Sequence, residues 1–152
     1  MKTLNYAFRL LGVCLMIGCA TNATLDKKRT SMEIQRFMDD YAVKLVNKTE
    51  TVGELYYDSG VVFSGFGRNT FLPFDTIKLM YQRRPKTMDY FKWEDMKIDP
   101  LNENLALVTS FFYEHYIGRP DTSRLSYTGL FIRTPTGWKI KHEHESRKCN
   151  SK

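Results

Sequence analysis

Hydrophobic residues between positions 32 and 46 recur at spacings of three and four, which is the period of one helix face. Ser31 precedes this run and suits an N-cap, so the pattern predicts a helix over 31–47. The sequence TVGE, from Thr51 to Glu54, fits a capping box and predicts a short second helix over 52–57. A third helix is predicted within FLPFDTIKLMYQRR, and Pro85 should end it.

After Pro85 the pattern changes to the alternation of hydrophobic and polar residues that is typical of strands. Four such stretches cover 88–98, 105–117, 123–134 and 137–146, and the turn sequences DPLNEN, GRPDT and PTG separate them. A shorter strand is predicted at VVFSGFG, before the third helix. Helices followed by a meander of antiparallel strands predict an α+β domain with about three helices packed on an antiparallel sheet.

The N-terminus has the plan of a signal peptide. Lys2 and Arg9 lie in a polar start, and an apolar run from Leu10 to Ile17 leads to Gly18 and Cys19. This run is too short for a transmembrane helix, which needs about 20 residues. MIGC resembles a bacterial lipobox, a likeness that implies cleavage before Cys19 and a diacylglyceryl and acyl (palmitate-like) modification on that residue.

The resulting division of the chain is a removed signal peptide over 1–18, a lipidated Cys19 with a flexible tether over 19–30, a domain over 31–147 and a polar tail over 148–152. Ala20 follows the cysteine where an aspartate would favour the inner membrane, so the lipoprotein resemblance implies the periplasmic face of the outer membrane. The alternative is an ordinary cleavage after Ala20 or Ala23. Once Cys14 has left with the signal peptide and Cys19 is acylated, Cys149 is the remaining thiol, which excludes an intrachain disulfide.

The net charge of +6 is modest and its basic residues are scattered along the chain. A nucleic-acid partner would require a basic stripe with stacking aromatic residues, and none is apparent, so no nucleic acid is expected. Aromatic residues make up 14% of the chain, which suits a packed core or an apolar pocket.

The last predicted strand, GWKIKHEHES, contains two of the three histidines. Strict alternation places His142 and His144 on the face of Trp138 and Ile140, which predicts that both histidines face inward and that the glutamates between them face outward. With His115, these histidines could act in acid–base catalysis or bind zinc. The alternative is one histidine bonded inside the domain and one at its rim. No metal and no cofactor is predicted.

The order of elements, together with YAVKLVNKTETVGELYYDSGVVFSG, PLNENLALVTSFFYEHY and the closing GWKIKHEHES, resembles the nuclear transport factor 2-like superfamily, in particular its SnoaL-like and ketosteroid-isomerase-related domains. The resemblance covers about residues 33–146. It implies a cone in which a curved sheet wraps three helices around an open pocket, and it implies a fold that commonly forms homodimers. Members include isomerases and dehydratases as well as proteins that only bind or assemble, so fold alone does not assign chemistry.

Ketosteroid isomerases use a tyrosine on the first helix and an aspartate on the first strand. The resemblance aligns Tyr41 with that tyrosine and Gly65 with the aspartate, so the base is missing and no catalytic constellation is complete. Dehydratase-like chemistry would instead use His142 with Tyr113 or Tyr41.

These considerations predict a lipid-anchored pocket domain that binds a small apolar ligand or supports an envelope assembly. The alternatives are a dehydratase or isomerase and a homodimeric scaffold without a ligand. The side chains expected to line the pocket are Tyr41, Trp93, Tyr113, Tyr127, Trp138 and His142.

Overall fold

The computed structural model describes residues 4–64, 70–84 and 87–147, and the side chains of 26–63, 70–84 and 87–147. Helix α1 (Leu4–Asn47) begins before the predicted start at Ser31 and ends at the predicted Asn47. The division of residues 1–30 into signal peptide and tether stays a prediction. Among the described residues, no helix combines the length and the apolar character needed to cross a bilayer. The buried side chains of α1 recur at spacings of three and four: Thr30, Ile34, Met38, Tyr41 and Leu45.

A 3₁₀ helix (Thr49–Leu55) forms in place of the predicted α-helix over 52–57. Thr49, Val52 and Leu55 are buried, and this spacing of three matches three residues per turn. The predicted capping box does not form, because the helix begins before Thr51, and the hydroxyl of Thr51 donates to the Lys48 carbonyl at 2.8 Å. The third helix forms as predicted: α2 (Phe74–Arg83) ends before Pro85 and buries Ile77 and Tyr81.

Six strands form one curved, open sheet against which the three helices pack. Its strands are β1 (Tyr56–Ser64), β2 (Thr70–Pro73), β3 (Met88–Asn102), β4 (Leu105–Tyr116), β5 (Ser123–Thr134) and β6 (Gly137–Arg147). The strand order is β2-β1-β6-β5-β4-β3. The predicted α+β fold is confirmed, but the sheet is mixed rather than antiparallel, because β1 pairs in parallel with β6. This pairing joins strands far apart in the chain, so no local sequence pattern reports it.

The concave face of the sheet carries the core. On β5 the inward residues are Leu125, Tyr127, Gly129 and Phe131, and on β4 they include Ala106, Val108 and Phe112. At one end of the cone, Glu33 links α1 to strands β5 and β6. Its carboxylate accepts a hydrogen bond from Trp138 Nε1 at 3.0 Å and forms an ion pair with Arg133. The guanidinium of Arg133 also lies 4.6 Å from the centre of the Trp138 ring.

Candidate functional site

Strand β6 contains a β-bulge at Lys141. Ile140 pairs with Phe131 of β5 and His142 pairs with Leu130, so Lys141 has no partner on that strand. Strand β1 is irregular at the same place, where a Cβ atom on Gly60 would lie 3.0 Å from the carbonyl oxygen of Ile140. An extra residue in one strand shifts the alternation of its side chains by one, so the two halves of β6 have opposite parity.

The bulge turns the glutamates of β6 inward. Glu143 is 1% exposed, and it pairs with the inward-facing Gly129 and Val62 on the neighbouring strands. His142 and His144 pair instead with outward-facing residues of β5. The predicted parity is therefore right for Trp138 and Ile140 and wrong after Lys141. We call Glu143 and Glu145 the inner carboxylate pair.

A cavity of about 200 Å³ lies inside the cone and contains this pair. Its apolar walls are Leu45, Val62, Leu72, Met80, Met88, Phe91 and Phe112. Its polar lining consists of Tyr41, Tyr81, Arg84, Glu114, Tyr116, Glu143 and Glu145. An apolar cavity of about 150 Å³ is known to hold benzene, so this volume suits a ligand of about one ring.

Two buried tyrosines hold Glu143. The Tyr56 hydroxyl donates to Glu143 Oε1 at 2.8 Å, and the Tyr41 hydroxyl lies 3.3 Å from Oε2 and 3.2 Å from the Tyr56 hydroxyl. A third tyrosine, Tyr127, is 2% exposed; its hydroxyl makes no hydrogen bond of normal geometry among the described residues but lies near enough to Glu143 to lower the pKa of that carboxyl. Gly129 makes room for it, because a Cβ atom there would collide with the Tyr127 hydroxyl. At the inner end of the site, the carboxylate of Glu143 is thus surrounded by the phenol groups of three tyrosines.

Burial controls the charge of the inner carboxylate pair. It raises the pKa of Glu143 to about 7, although the hydrogen bond from Tyr56 acts in the opposite direction. Burial, and then the charge of Glu143, raise the pKa of Glu145 well above its ordinary value. No Lys, Arg or His side chain in the described part of the chain forms an ion pair with either glutamate. Such a pair can hold and exchange a proton near neutral pH.

A second polar group lies at the side of α2. Arg84 donates to the Tyr116 hydroxyl at 2.8 Å, and that hydroxyl donates to Glu114 Oε2 at 2.9 Å. Glu114 also lies 3.9 Å from Arg147. Burial raises the pKa of Glu114 and that of Tyr116, the latter to about 12. Glu114 therefore has two cations in its surroundings, and the charge of one of them, Arg84, also lowers the pKa of Glu145.

The side chains predicted to line the pocket divide between two sides of the sheet. Tyr41 lines the cavity. Trp93 does not line the cavity. Its ring centre lies 5.8 Å from that of Tyr41 and 4.9 Å from that of Tyr127. Its indole N–H donates a hydrogen bond to the Met38 carbonyl oxygen at 2.9 Å. Trp138 is inward but belongs to the contact with Glu33 at the other end of the cone.

Tyr113 and His115, by contrast, lie on the outer face. The ring of Tyr113 lies 5.8 Å from the guanidinium of Arg124, and His115 Nδ1 lies 2.5 Å from a carboxylate oxygen of Asp89. The hydrogen bond with Asp89 raises the pKa of His115. Because His142 also faces outward, the dehydratase-like grouping of histidine and tyrosine does not assemble in the cavity.

The residues that sequence reasoning missed are mainly acidic. Glu114 continues the inward alternation of Val108 and Phe112, which was a usable signal. Nothing in GWKIKHEHES reports the bulge that turns Glu143 inward. Gly65, aligned with the isomerase base, lies outside the described residues. Within the described ranges, no three His, Cys, Asp or Glu side chains are arranged to hold a metal ion.

A wider groove of about 670 Å³ opens on the surface beside Thr87, Ile117 and Arg119. Its lining side chains are exposed or half-buried. It lacks the enclosed carboxylates of the smaller cavity, which is therefore the better candidate site.

Comparison with known proteins agrees with this architecture. A family model described as a SnoaL-like domain matches residues 76–149. A proposed scytalone dehydratase from Novosphingobium aromaticivorans superimposes with a TM-score of 0.65 at 18% identity, over 84% of this chain and 88% of that one. A proposed ketosteroid isomerase from Parabacteroides distasonis gives 0.61 at 17% identity, over 77% and 86%. A nuclear transport factor 2-like protein of unknown function from Pseudomonas putida gives 0.63 at 16% identity, over 77% and 87%.

The chain therefore has the nuclear transport factor 2-like cone fold, and its residues 76–149 are similar to the SnoaL-like family. At these identities the likeness to the solved structures shows the fold alone. No curated protein matches the chain.

Proposed function

We propose that this SnoaL-like domain binds a small, largely apolar ligand inside the cone. The observation that supports the proposal most is the cavity of about 200 Å³, whose walls are apolar and whose inner end is polar. Binding pockets commonly combine a hydrophobic lining with a few polar groups that orient the ligand.

We further propose that the chain is a bacterial lipoprotein, held at the periplasmic face of the outer membrane by an acylated Cys19, where it could also support an envelope assembly. Its support is the sequence MIGC after a short apolar run. Cys19 lies outside the residues whose side chains the structure describes. A protein that carries two or more acyl chains stays stably bound to a bilayer, so the proposed modification of Cys19 would be a sufficient anchor.

Blocking the cavity tests ligand binding. Met80 lines the cavity and is 38% exposed, so Met80→Trp should fill the entrance without disturbing the core. The adjacent Leu79 is 43% exposed and does not line the cavity, which makes Leu79→Trp a matched control. Native mass spectrometry of protein purified from its own cell envelope should find a retained small molecule in the wild type and in Leu79→Trp, but not in Met80→Trp. Equal occupancy in both variants would place the ligand elsewhere.

Anchoring is tested independently. Cys19→Ser should release the protein from membranes and abolish palmitate incorporation, whereas Cys14→Ser should leave both unchanged. Membrane association with palmitate labelling in Cys19→Ser would refute the lipoprotein proposal.

A second candidate function is acid–base catalysis by the same cavity. The inner carboxylate pair can exchange protons, and the hydroxyls of Tyr41 and Tyr56 could stabilise a developing oxyanion. Two structural neighbours are named as an isomerase and a dehydratase, which makes this chemistry a reasonable proposal here. A catalyst should exchange a ligand carbon-bound hydrogen with deuterated water, and Glu143→Gln should not. If the wild-type protein incorporates no deuterium into the ligand, the catalytic proposal is wrong and ligand binding without catalysis remains the proposed function.

A further inference from the structure

The inner carboxylate pair adds two acidic groups to an otherwise aromatic and apolar cavity, and this composition restricts the ligand. We infer that the ligand is an organic cation, namely an ammonium group carried on an apolar body of about one ring. The inference rests on the proposed function, because it names the chemical class that the same cavity would take.

The first observation is the absence of an ion pair at the inner carboxylate pair. The charge of Arg84 acts on both Glu114 and Glu145, but no basic side chain in the described ranges forms an ion pair with Glu143 or Glu145. Burying an unpaired carboxylate is unfavourable, and such a group either takes up a proton or binds a cation. A bound ammonium group would supply the charge that the protein does not.

The second observation is the aromatic lining. Five aromatic side chains surround the cavity: Tyr41, Tyr81, Phe91, Phe112 and Tyr116. The faces of aromatic rings attract cations, and the attraction grows when water is excluded. A cavity that combines such rings with carboxylates therefore favours an ammonium group over a neutral group of the same shape.

The third observation is the buried phenol beside Glu143. Tyr127 is 2% exposed, and its hydroxyl lies near enough to Glu143 to lower the pKa of that carboxyl, although it makes no hydrogen bond of normal geometry among the described residues. A phenol oxygen also has lone pairs that can accept a hydrogen bond from a ligand N–H group. An ammonium group beside Glu143 would donate to both its carboxylate and this phenol oxygen.

The one guanidinium in the cavity lining does not reverse this preference. Arg84 donates to the Tyr116 hydroxyl and lies 5.3 Å from the centre of its ring, and that hydroxyl in turn donates to Glu114. Arg84 is thus already engaged, and three carboxylates outnumber it. An anionic ligand would meet repulsion from the inner carboxylate pair.

The test compares three probes of similar shape by isothermal titration calorimetry on the full chain. Benzylamine is a cation, benzyl alcohol is neutral and benzoate is an anion. The titrations are run at about pH 8, because the carboxylate of Glu143 has a pKa of about 7 and must be ionised. We expect benzylamine to bind about tenfold or more tightly than benzyl alcohol, as charged hydrogen bonds allow, and benzoate not to bind.

The matched variants isolate the charge. Glu143→Gln should lower the affinity for benzylamine about tenfold, and Glu145→Gln should lower it less because its raised pKa favours the neutral acid beside an ionised Glu143, while neither variant should change the affinity for benzyl alcohol. Retained binding of benzyl alcohol shows that a variant is folded. The exposed Glu50 on the 3₁₀ helix supplies the control, since Glu50→Gln removes the same charge outside the cavity and should change neither affinity.

The outcomes separate the two proposals. If benzyl alcohol binds as tightly as benzylamine, and the glutamine variants bind benzylamine like the wild type, the cation class is wrong while ligand binding stands. If no probe binds, in the wild type or in Leu79→Trp, the cavity takes no ligand of this size and both proposals fail.

Discussion

Glu143 occupies a position where its protonation changes both the stability of the fold and the polarity of the cavity. Its neighbours Tyr41 and Tyr56 donate hydrogen bonds to the ionised form, while burial favours the neutral form. The two effects oppose each other, and the pKa of about 7 shows that burial prevails.

The stability of the protein should therefore fall as the pH rises from about 4.5 to about 7. Over this interval the unfolded chain releases the proton of Glu143 and the folded chain keeps it, so the free energy of unfolding decreases by an amount on the order of 3 kcal/mol. Glu143→Gln should lack this contribution. Urea unfolding at a series of pH values measures both curves, and parallel curves for wild type and variant would show that Glu143 titrates normally.

At the scale of elements, the bulge in β6 separates what the sequence predicts from what it does not. The alternation in GWKIKHEHES correctly predicts a strand and the inward positions of Trp138 and Ile140. The pattern HEHE alternates equally well in either register, so parity beyond Lys141 depends on pairing with β1 and β5. Both partner strands belong to distant parts of the chain, and for that reason the acidic floor of the cavity could not be predicted locally.

The contact between α1 and the β5–β6 end of the sheet gives a second prediction. Glu33 accepts a hydrogen bond from Trp138 and pairs with Arg133, so Glu33→Ala should lower the free energy of unfolding by about 1 to 3 kcal/mol. Glu50→Ala, at an exposed position, should change it by less than about 0.5 kcal/mol. Chemical unfolding monitored by circular dichroism compares the two, and equal effects would mean that the contact contributes nothing specific.

For the whole molecule, the order of helices and strands was sufficient to predict an α+β fold, whereas the cone was implied by the family resemblance and strand β2 had no counterpart in the prediction. The strand pairing that closes the cone and the residues that line it depend on long-range contacts. The outer face of the sheet and the turn that follows β4 carry exposed apolar side chains, among them Tyr90 on β3 and Ile117 in that turn, which are 45% and 60% exposed.

We propose that this outer face joins two copies of the chain in a homodimer. Replacing Tyr90 and Ile117 together by Lys should then give a monomer, because two buried ammonium groups would be unpaired at the interface. Met32→Lys, at a 50% exposed position of α1, should leave the dimer intact. Light scattering on size-exclusion chromatography measures the mass, with Cys19→Ser in every chain to remove the predicted acyl anchor. A monomeric parent chain, or a dimeric double variant, would contradict the proposal.

Carboxylates, rather than the histidines beside them, form the polar end of the cavity. Carbon-13 NMR titration of the glutamate side chains tests this directly. In the wild type and in His142→Gln, we expect the two carboxyl resonances of the inner carboxylate pair to titrate well above the ordinary range, one of them at about pH 7, and we expect Glu143→Gln to lose one of the two. If every glutamate titrates near its ordinary value, or if Glu143→Gln loses neither of the two raised resonances, carboxylates do not form the polar end of the cavity.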